Sequence, residues 1–199
     1  MTKKFLIVAS DADSLINFRG PLLSALMKAG LEVHAAAPNI YDSKSRNNLE
    51  RIGVNIHEVK MKRTGTNPLT DTKTLYDLWK LMNNIKPNYY LGYTHKPVIY
   101  GLIAAWLAGV PFRYALITGL GFTFQSNIFW LRVIVRLLYK VALKNTHKVF
   151  FQNPDDENLF LDQGIINSDD KKTFIVNGSG VNLKDFHFTP IPKNINFLL

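Results

Sequence analysis

The chain has 199 residues, of which 47% are apolar and 20% are charged, a balance typical of a globular domain with a hydrophobic core. It contains no cysteine, which excludes disulfide bonds and thiolate metal sites and is consistent with a reducing compartment. The 24 lysines and arginines exceed the 15 aspartates and glutamates and give a net charge of +9. An excess of this size favours a polyanion or an anionic membrane surface as a partner.

Predicted strands and helices alternate along the chain. Short runs of apolar residues predict strands at residues 5–10, 32–37, 55–59, 89–93, 112–117, 148–152 and 173–176. Helical periodicity and stop signals predict helices at residues 21–29, 43–52, 71–85, 98–108, 127–144 and 154–163, with a loop at residues 10–18. This alternation predicts an α/β fold, a Rossmann-like, doubly wound and largely parallel sheet of about seven strands.

The two ends of the chain indicate its domain organisation. The apolar run at residues 5–9 is too short for a secretory signal peptide, and no segment has the length and hydropathy of a transmembrane helix. Pro190 and Pro192 predict a linker, and residues 195–199 have the composition of a strand. We therefore expect one domain at residues 1–185, followed at 186–199 by a linker and the start of a second domain that is missing.

Polar residues follow two of the predicted strands directly. In an open parallel sheet, ligands bind in the crevice outside the carboxyl ends of the strands. Two groups of candidate ligand contacts, one after Tyr93 and one after Ile117, would therefore lie side by side. The groups are Thr94, His95 and Lys96, and Thr118, Gly119 and Gly121. Within them, His95 is a candidate catalytic residue, since a histidine at this position can contact an anionic or hydroxylic ligand.

The end of the first strand argues against dinucleotide binding. It continues into Ser10-Asp11-Ala12-Asp13, without the glycine-rich turn that binds a pyrophosphate. Asp11 and Asp13 either accept hydrogen bonds from sugar hydroxyls or cap a helix. The remaining histidines share no metal-ligand spacing and are interpreted as structural: His34, His57, His147 and His187.

The helix predicted at residues 127–144 carries cations at four-residue steps: Arg132, Arg136, Lys140 and Lys144. At 3.6 residues per turn these cover an arc of about 120°. Phe129, Val133 and Leu143 fall inside this arc, and the opposite side, which includes Trp130, Ile134, Leu137 and Val141, is expected to pack on the sheet. Cations interspersed with large apolar residues predict a membrane-surface helix, the alternative being an ordinary solvated face. No nucleic-acid-binding motif is present, so nucleic acid is not expected as a partner.

Six short motifs, in order, carry a resemblance to a known family. They are Asn17-Phe18-Arg19-Gly20-Pro21-Leu22, Ala29-Gly30-Leu31-Glu32-Val33-His34, Thr94-His95-Lys96-Pro97 with Ile99-Tyr100-Gly101, Leu107-Ala108-Gly109-Val110-Pro111, Thr118-Gly119-Leu120-Gly121, and Phe151-Gln152-Asn153-Pro154-Asp155-Asp156. The chain resembles the N-terminal domain of family-4 glycosyltransferases of the GT-B fold. It is most similar to the bacterial subgroup that builds polyprenyl-diphosphate-linked oligosaccharides.

The resemblance implies a retaining glycosyltransferase that uses a nucleotide sugar, usually a UDP-sugar, without a catalytic metal or other cofactor. In such enzymes the N-terminal domain holds the acceptor, here a lipid-linked glycan, and the C-terminal domain holds the nucleotide. Asp11, Asn17 and Arg19 would then line the acceptor loop, and His95, Thr118 and Gly119 the crevice floor. Many members carry a histidine just after the strand that here ends at Ile117, whereas this chain has Thr118-Gly119.

The resemblance also implies a location and a limitation. The protein would be cytoplasmic and peripheral on the inner face of the plasma membrane. Because no donor domain follows residue 199, the chain would be the acceptor-binding half of such an enzyme, in cell-surface polysaccharide biosynthesis, and inactive alone. The alternative is a stand-alone, non-catalytic membrane-surface module or a partner subunit of a separate donor domain.

Overall fold

The computed structural model describes residues 2–62, 68–119 and 129–180. The strands in these ranges form one sheet, in the order β3-β2-β1-β4-β5-β6-β7, and every neighbouring pair is parallel. The strands are β1 (Lys4–Val8), β2 (Glu32–Ala37), β3 (Asn55–Glu58), β4 (Tyr89–Tyr93), β5 (Phe112–Ile117), β6 (Lys148–Phe151) and β7 (Thr173–Ile175). The predicted α/β, Rossmann-like class with seven parallel strands is therefore confirmed.

Helices connect these strands, as parallel pairing requires. They are α1 (Asp13–Asn17), α2 (Gly20–Lys28), α3 (Arg46–Arg51), α4 (Pro68–Ile85), α5 (Leu102–Leu107), α6 (Phe129–Lys144) and α7 (Pro154–Asp162). A π-helical turn at Pro97–Gly101 precedes α5, and short 3₁₀ turns lie at Ile40–Asp42 and Ser168–Asp170. Of the described helices, none is long and apolar enough to cross a membrane.

Two apolar clusters flank the sheet. One includes Ile7 of β1 and buries Leu15 of α1, Leu23 of α2 and Leu49 of α3. The other cluster lies on the opposite face of the sheet. It contains the buried residues of α6 together with Leu78, Met82 and Ile85 of α4. The sheet is thus covered by helices on both faces, which explains why β1 is apolar almost throughout.

The segment after β4 is fixed by unusually close packing. The Tyr90 hydroxyl donates a hydrogen bond of 2.7 Å to the carbonyl of Pro97. A Cβ added to Gly101 would lie 1.7 Å from that hydroxyl, and one added to Gly92 would lie 2.6 Å from the Pro97 carbonyl oxygen. Only glycine fits at these two positions, so the backbone around residues 94–96 is held firmly against the sheet.

Three features differ from the sequence-based expectation. Residues 13–17, predicted as loop, form α1. The Ser14 hydroxyl donates a hydrogen bond to the Asp11 carbonyl, and the Ser14 carbonyl accepts one from the Phe18 N–H, so this short helix is stabilised by local contacts. The helix predicted to start at residue 71, with Asp71 or Thr70 as its cap, begins instead at Pro68, so Asp71 lies buried in the first turn of α4. The predicted 98–108 helix is a π turn followed by α5. The linker and strand expected at 186–199 lie outside the described residues.

Candidate functional site

The strand order reverses direction between β1 and β4, and their carboxyl ends form the topological switch point at which ligands bind in such sheets. The hydroxyls of Ser10 and Thr94 lie 2.7 Å apart across this point. Thr94 has a φ of 68°, an uncommon value for a β-branched residue. Such backbone strain persists only where neighbouring contacts fix it, and it concentrates at ligand sites.

Arg19 lies in the loop between α1 and α2, with its guanidinium 4.9 Å from the centre of the Tyr93 ring. The side chain is only 6% exposed. Its Nη1 donates a 3.0 Å hydrogen bond to the Ser179 hydroxyl, whereas its buried Nε has no hydrogen-bond partner. Burial lowers the pKa of Arg19 and raises that of Tyr93 to about 12. At neutral pH the pair is therefore a cation over a neutral ring.

His95 is half-buried, and its Nδ1 lies 2.6 Å from the hydroxyl of Tyr139, a buried residue of α6. Burial lowers the pKa of His95 below its usual 6.5, so the imidazole is neutral at pH 7. With Nδ1 engaged, Nε2 is the remaining ring nitrogen for a hydrogen bond with a ligand. A neutral imidazole can exchange one hydrogen bond with a hydroxyl, which suits orientation of a hydroxylic acceptor.

Lys96 has a different environment. Its ammonium lies 2.5 Å from Oδ1 of Asp71, and the Tyr100 hydroxyl donates to Oδ2 at 2.9 Å. Lys96 and Asp71 are both buried. The network ties α4 to the π turn and gives Lys96 a structural role, while its contact with substrate stays a prediction.

The other predicted site residues lie along the same edge. Asp11 is half-buried, Asn17 is exposed, and Thr118 and Gly119 are half-buried directly after β5. Gly121 lies outside the described residues. Asp13 accepts a 3.0 Å hydrogen bond from the Ser45 backbone N–H, which favours a structural reading of this carboxylate.

Four residues of this edge escaped sequence reasoning: Tyr93, Tyr139, Gln152 and Ser179. The amide of Gln152 donates to the Ser179 hydroxyl at 3.4 Å, beside the bond from Arg19. Ser179 follows Gly178 and precedes Gly180, whose φ values of 70° and 67° are left-handed. In the sequence, this pair of glycines predicts a turn but not the contact of Ser179 with Arg19.

Helix α6 is rotated relative to the expectation. Leu143, predicted to face a membrane, is fully buried beside Val135, Tyr139 and Ala142. The side expected to pack on the sheet is instead exposed: Trp130 62%, Ile134 45%, Leu137 57% and Val141 58%. Both expectations were wrong, because the aromatic ring of Tyr139 packs edge-on against Phe160 and fixes a different rotation of the helix about its axis.

The remaining predicted membrane-facing residues keep a surface position. Phe129 is 72% exposed, Arg132, Lys140 and Lys144 are exposed, and Val133 and Arg136 are half-buried. The exposed apolar stripe falls within an arc of about 60°, and the cations lie along one side of it. A groove of about 190 Å³ runs alongside, lined by Val133, Arg136, Leu137, Lys140, Gln163 and Ile165.

Within the described ranges, no three His, Cys, Asp or Glu side chains converge in a way that could hold a metal ion. The crevice thus offers a neutral imidazole, a buried guanidinium and several hydroxyls. Groups of these types can bind and orient an oxygen-rich ligand through hydrogen bonds.

Comparison with protein families gives a match to the model described as "Glycosyl transferase 4-like", over residues 6–153. A curated relative is the N,N'-diacetylbacillosaminyl-diphospho-undecaprenol alpha-1,3-N-acetylgalactosaminyltransferase of Campylobacter jejuni. It is 28% identical over 179 residues, which cover 87% of this chain and 45% of that protein. The chain therefore spans about half the length of this relative.

Solved structures share the fold at low sequence identity. A glycosyltransferase from Rickettsia africae aligns with a TM-score of 0.64 at 17% identity, covering 95% of this chain and 47% of that one. MurG from Acinetobacter baumannii gives 0.57 at 14% identity, covering 93% and 47%. UDP-GlcNAc 2-epimerase from Methanocaldococcus jannaschii gives 0.59 at 20% identity, covering 88% and 46%.

Proposed function

The chain belongs to the glycosyl transferase 4-like family, and we propose that it is the acceptor-binding half of a retaining glycosyltransferase. The observation that carries the proposal is the family match over residues 6–153, which includes Arg19, Thr94, His95 and Thr118. The whole enzyme would transfer a sugar from a nucleotide sugar, of the UDP class, without a metal or other cofactor. Its role would be in cell-surface polysaccharide biosynthesis.

The acceptor we infer is a polyprenyl-diphosphate-linked glycan. The name of the Campylobacter jejuni relative describes transfer to a sugar linked through a diphosphate to undecaprenol. In the crevice, His95 would exchange a hydrogen bond with an acceptor hydroxyl through Nε2. Asp11, Asn17, Thr118 and Gly119 line the same edge and would complete the orientation of the sugar.

An acceptor anchored in lipid requires the crevice to lie close to a membrane, and α6 supplies a surface suited to this. Its exposed stripe of Trp130, Ile134, Leu137 and Val141 can enter the headgroup boundary, while Arg132, Lys140 and Lys144 meet anionic headgroups. We therefore propose a peripheral position on the cytoplasmic face of the plasma membrane.

We expect the chain to be inactive alone. The departing diphosphate needs cations or helix N-termini on its own side of the cleft, which family members provide from the donor domain. Purified chain should give no transfer from UDP-sugars to lipid-linked acceptors above a boiled control. Turnover by the pure monomer would contradict this part of the proposal.

Acceptor binding can be tested without turnover. The 199-residue chain is titrated with a water-soluble, short-prenyl diphosphate-linked N-acetylhexosamine while amide NMR shifts are followed. We expect saturable changes at Thr94, His95, Thr118 and Gly119. His95→Ala should weaken binding, whereas His147→Ala, near the opposite edge of the sheet, should not. Shifts that avoid the crevice would overturn acceptor binding.

The second candidate is a non-catalytic membrane module or a partner of a separate donor domain, and the exposed stripe of α6 favours it. The same titration discriminates the two. A chain that binds anionic vesicles but shows no change at the crevice with the glycan would support the module.

A further inference from the structure

We propose that Arg19, Gln152 and Ser179 form a site for an anion of the phosphate class at the carboxyl edge of the sheet. Its assignment to the diphosphate of a substrate rests on the proposed function, while the anion site itself rests on geometry. These residues come from the loop before α2, the end of β6 and the turn after β7. Folding brings them together across up to 160 residues of sequence.

The first observation is that hydrogen-bond donors converge on one oxygen. Arg19 Nη1 and Gln152 Nε2 both donate to the Ser179 hydroxyl, at 3.0 Å and 3.4 Å. The serine oxygen is thus occupied as an acceptor, which leaves its own O–H as a further donor. Arg19 has five N–H donors, and its Nε is buried without a partner. The cluster is rich in donors, and its acceptors, the Ser179 hydroxyl and the Gln152 amide oxygen, are neutral.

The second observation is the missing counter-charge. Arg19 is only 6% exposed, yet no carboxylate of the described residues forms an ion pair with it. Asp11 lies in the same region, where its charge acts on Tyr93. A buried cation is costly unless it is paired, and the Tyr93 face compensates only in part. Binding of an anion would remove this imbalance.

The chemistry of the side chain selects the ligand class. A guanidinium presents paired N–H groups that match two oxygens of a phosphate. The Ser179 hydroxyl and the Gln152 amide would contact further oxygens of the same group. Two substrates of the proposed enzyme carry such a group, the lipid-linked acceptor and the nucleotide sugar. The shared ligand is therefore a diphosphate.

The test is calorimetric titration of the 199-residue chain with inorganic pyrophosphate. We expect Arg19→Gln to weaken binding at least tenfold and Ser179→Ala, an exposed position, to weaken it severalfold. Arg46→Gln is the matched control, since Arg46 also lies over a tyrosine, 5.6 Å from the ring of Tyr41, but pairs with Glu50. It should bind as wild type does.

Arg19→Lys covers the case in which Arg19→Gln fails to fold, because it keeps the charge but loses the paired donors. Its binding should fall between those of wild type and Arg19→Gln. Wild-type chain that binds no pyrophosphate at millimolar concentration would overturn the proposal, as would an Arg19 variant that folds and binds equally well.

Two further titrations identify the source of the diphosphate. Tighter binding of a short-chain prenyl diphosphate than of uridine diphosphate supports the acceptor, and the reverse order supports the donor. Either result, if lost in Arg19→Gln, supports the anion site. Arg19-dependent binding of pyrophosphate without any glycan-induced change at His95 would leave the anion site standing and remove the acceptor-binding function.

Discussion

The Nδ1 atom of His95 lies 2.6 Å from the hydroxyl of Tyr139, so a partly buried hydrogen bond joins the crevice to helix α6. The opposite side of α6 carries the exposed apolar stripe. One helix thus supports the candidate catalytic residue from its buried face and carries the proposed membrane-binding surface on the other. The crevice and the exposed apolar stripe are thereby connected through one helix.

Removal of the Tyr139 hydroxyl tests the contribution of this bond. Tyr139→Phe keeps the ring that packs on Phe160 but leaves His95 Nδ1 without this partner. We expect the free energy of unfolding to fall by about 1–2 kcal/mol, the usual effect of a lost buried hydrogen bond.

Urea denaturation provides the measurement, with Tyr41→Phe as the control. Tyr41 is 43% exposed and its hydroxyl forms a longer bond of 3.3 Å to Ile56. Its removal should change stability by less than about 0.5 kcal/mol. Equal effects of the two substitutions would show that the Tyr139 hydrogen bond contributes no more to the free energy of unfolding than the exposed one of Tyr41.

The ion pair of Lys96 and Asp71 makes a second prediction. Lys96→Met would leave a buried Asp71 carboxylate that keeps the 2.9 Å hydrogen bond from the Tyr100 hydroxyl but has lost its ion pair. Breaking a buried pair in this way costs about 3–5 kcal/mol. Combining it with Asp71→Asn, which removes the charge, should recover a large part of that loss.

Denaturant unfolding of the two single variants and the double variant gives the coupling free energy between the residues. Lys80→Met, at an exposed position of the same helix α4, should be close to neutral. Additive effects of Lys96→Met and Asp71→Asn would refute a structural role for the pair.

Sequence reasoning succeeded where local signals were sufficient. Strands β2, β4 and β5 have the predicted bounds, because Gly30, Pro87 and Pro111 mark their starts in the sequence. It failed for the phase of α6. That helix is apolar over most of its circumference, so the cations alone could not tell which apolar arc is buried. Tertiary contacts of Tyr139 decide this, and they involve residues distant in sequence.

In the candidate site, too, some residues could be predicted from local sequence and others depend on the tertiary fold. His95 and Thr118 follow strands, so strand prediction alone places them at the edge. The contact between Arg19 and Ser179 spans 160 residues and depends on the order of seven strands. No spacing rule predicts such a pairing.

A third prediction concerns pH and a histidine cluster on β2 and β3. His34 Nδ1 lies 2.9 Å from His57 Nε2, and its Nε2 lies 2.9 Å from Glu32, which also pairs with Lys4. The pKa of His57 is lowered to about 4, mainly by burial and to a smaller extent by the charge of His34. The unfolded chain therefore takes up a proton near pH 6.5 that the folded chain does not. Stability should fall as pH drops from about 6.5 towards 4.

The melting temperature, measured between pH 7 and pH 5, checks this effect. His57→Gln keeps a donor for His34 but cannot be protonated, so its stability should depend less on pH in this range. A variant with the same slope as wild type would show that other groups cause the pH dependence.

The last prediction is membrane binding through α6. Each cation near an anionic leaflet contributes about 1 kcal/mol, so Arg132, Arg136, Lys140 and Lys144 together offer about 4 kcal/mol. The apolar stripe adds a contribution that salt does not screen. Co-sedimentation with phosphatidylglycerol vesicles should therefore weaken at high salt without disappearing.

Two sets of substitutions separate these contributions. Arg132→Glu, Arg136→Glu and Lys140→Glu together should abolish the salt-sensitive part of the binding, whereas Trp130→Ser with Leu137→Ser should abolish the part that survives at high salt. The control is the combination of Lys28→Glu, Lys44→Glu and Arg51→Glu, exposed positions in or near α2 and α3 that change the net charge equally. Because those helices cover the other face of the sheet, this control should bind nearly as wild type does. If it loses binding as severely as the α6 variant, attraction depends on net charge alone and α6 is not the docking surface.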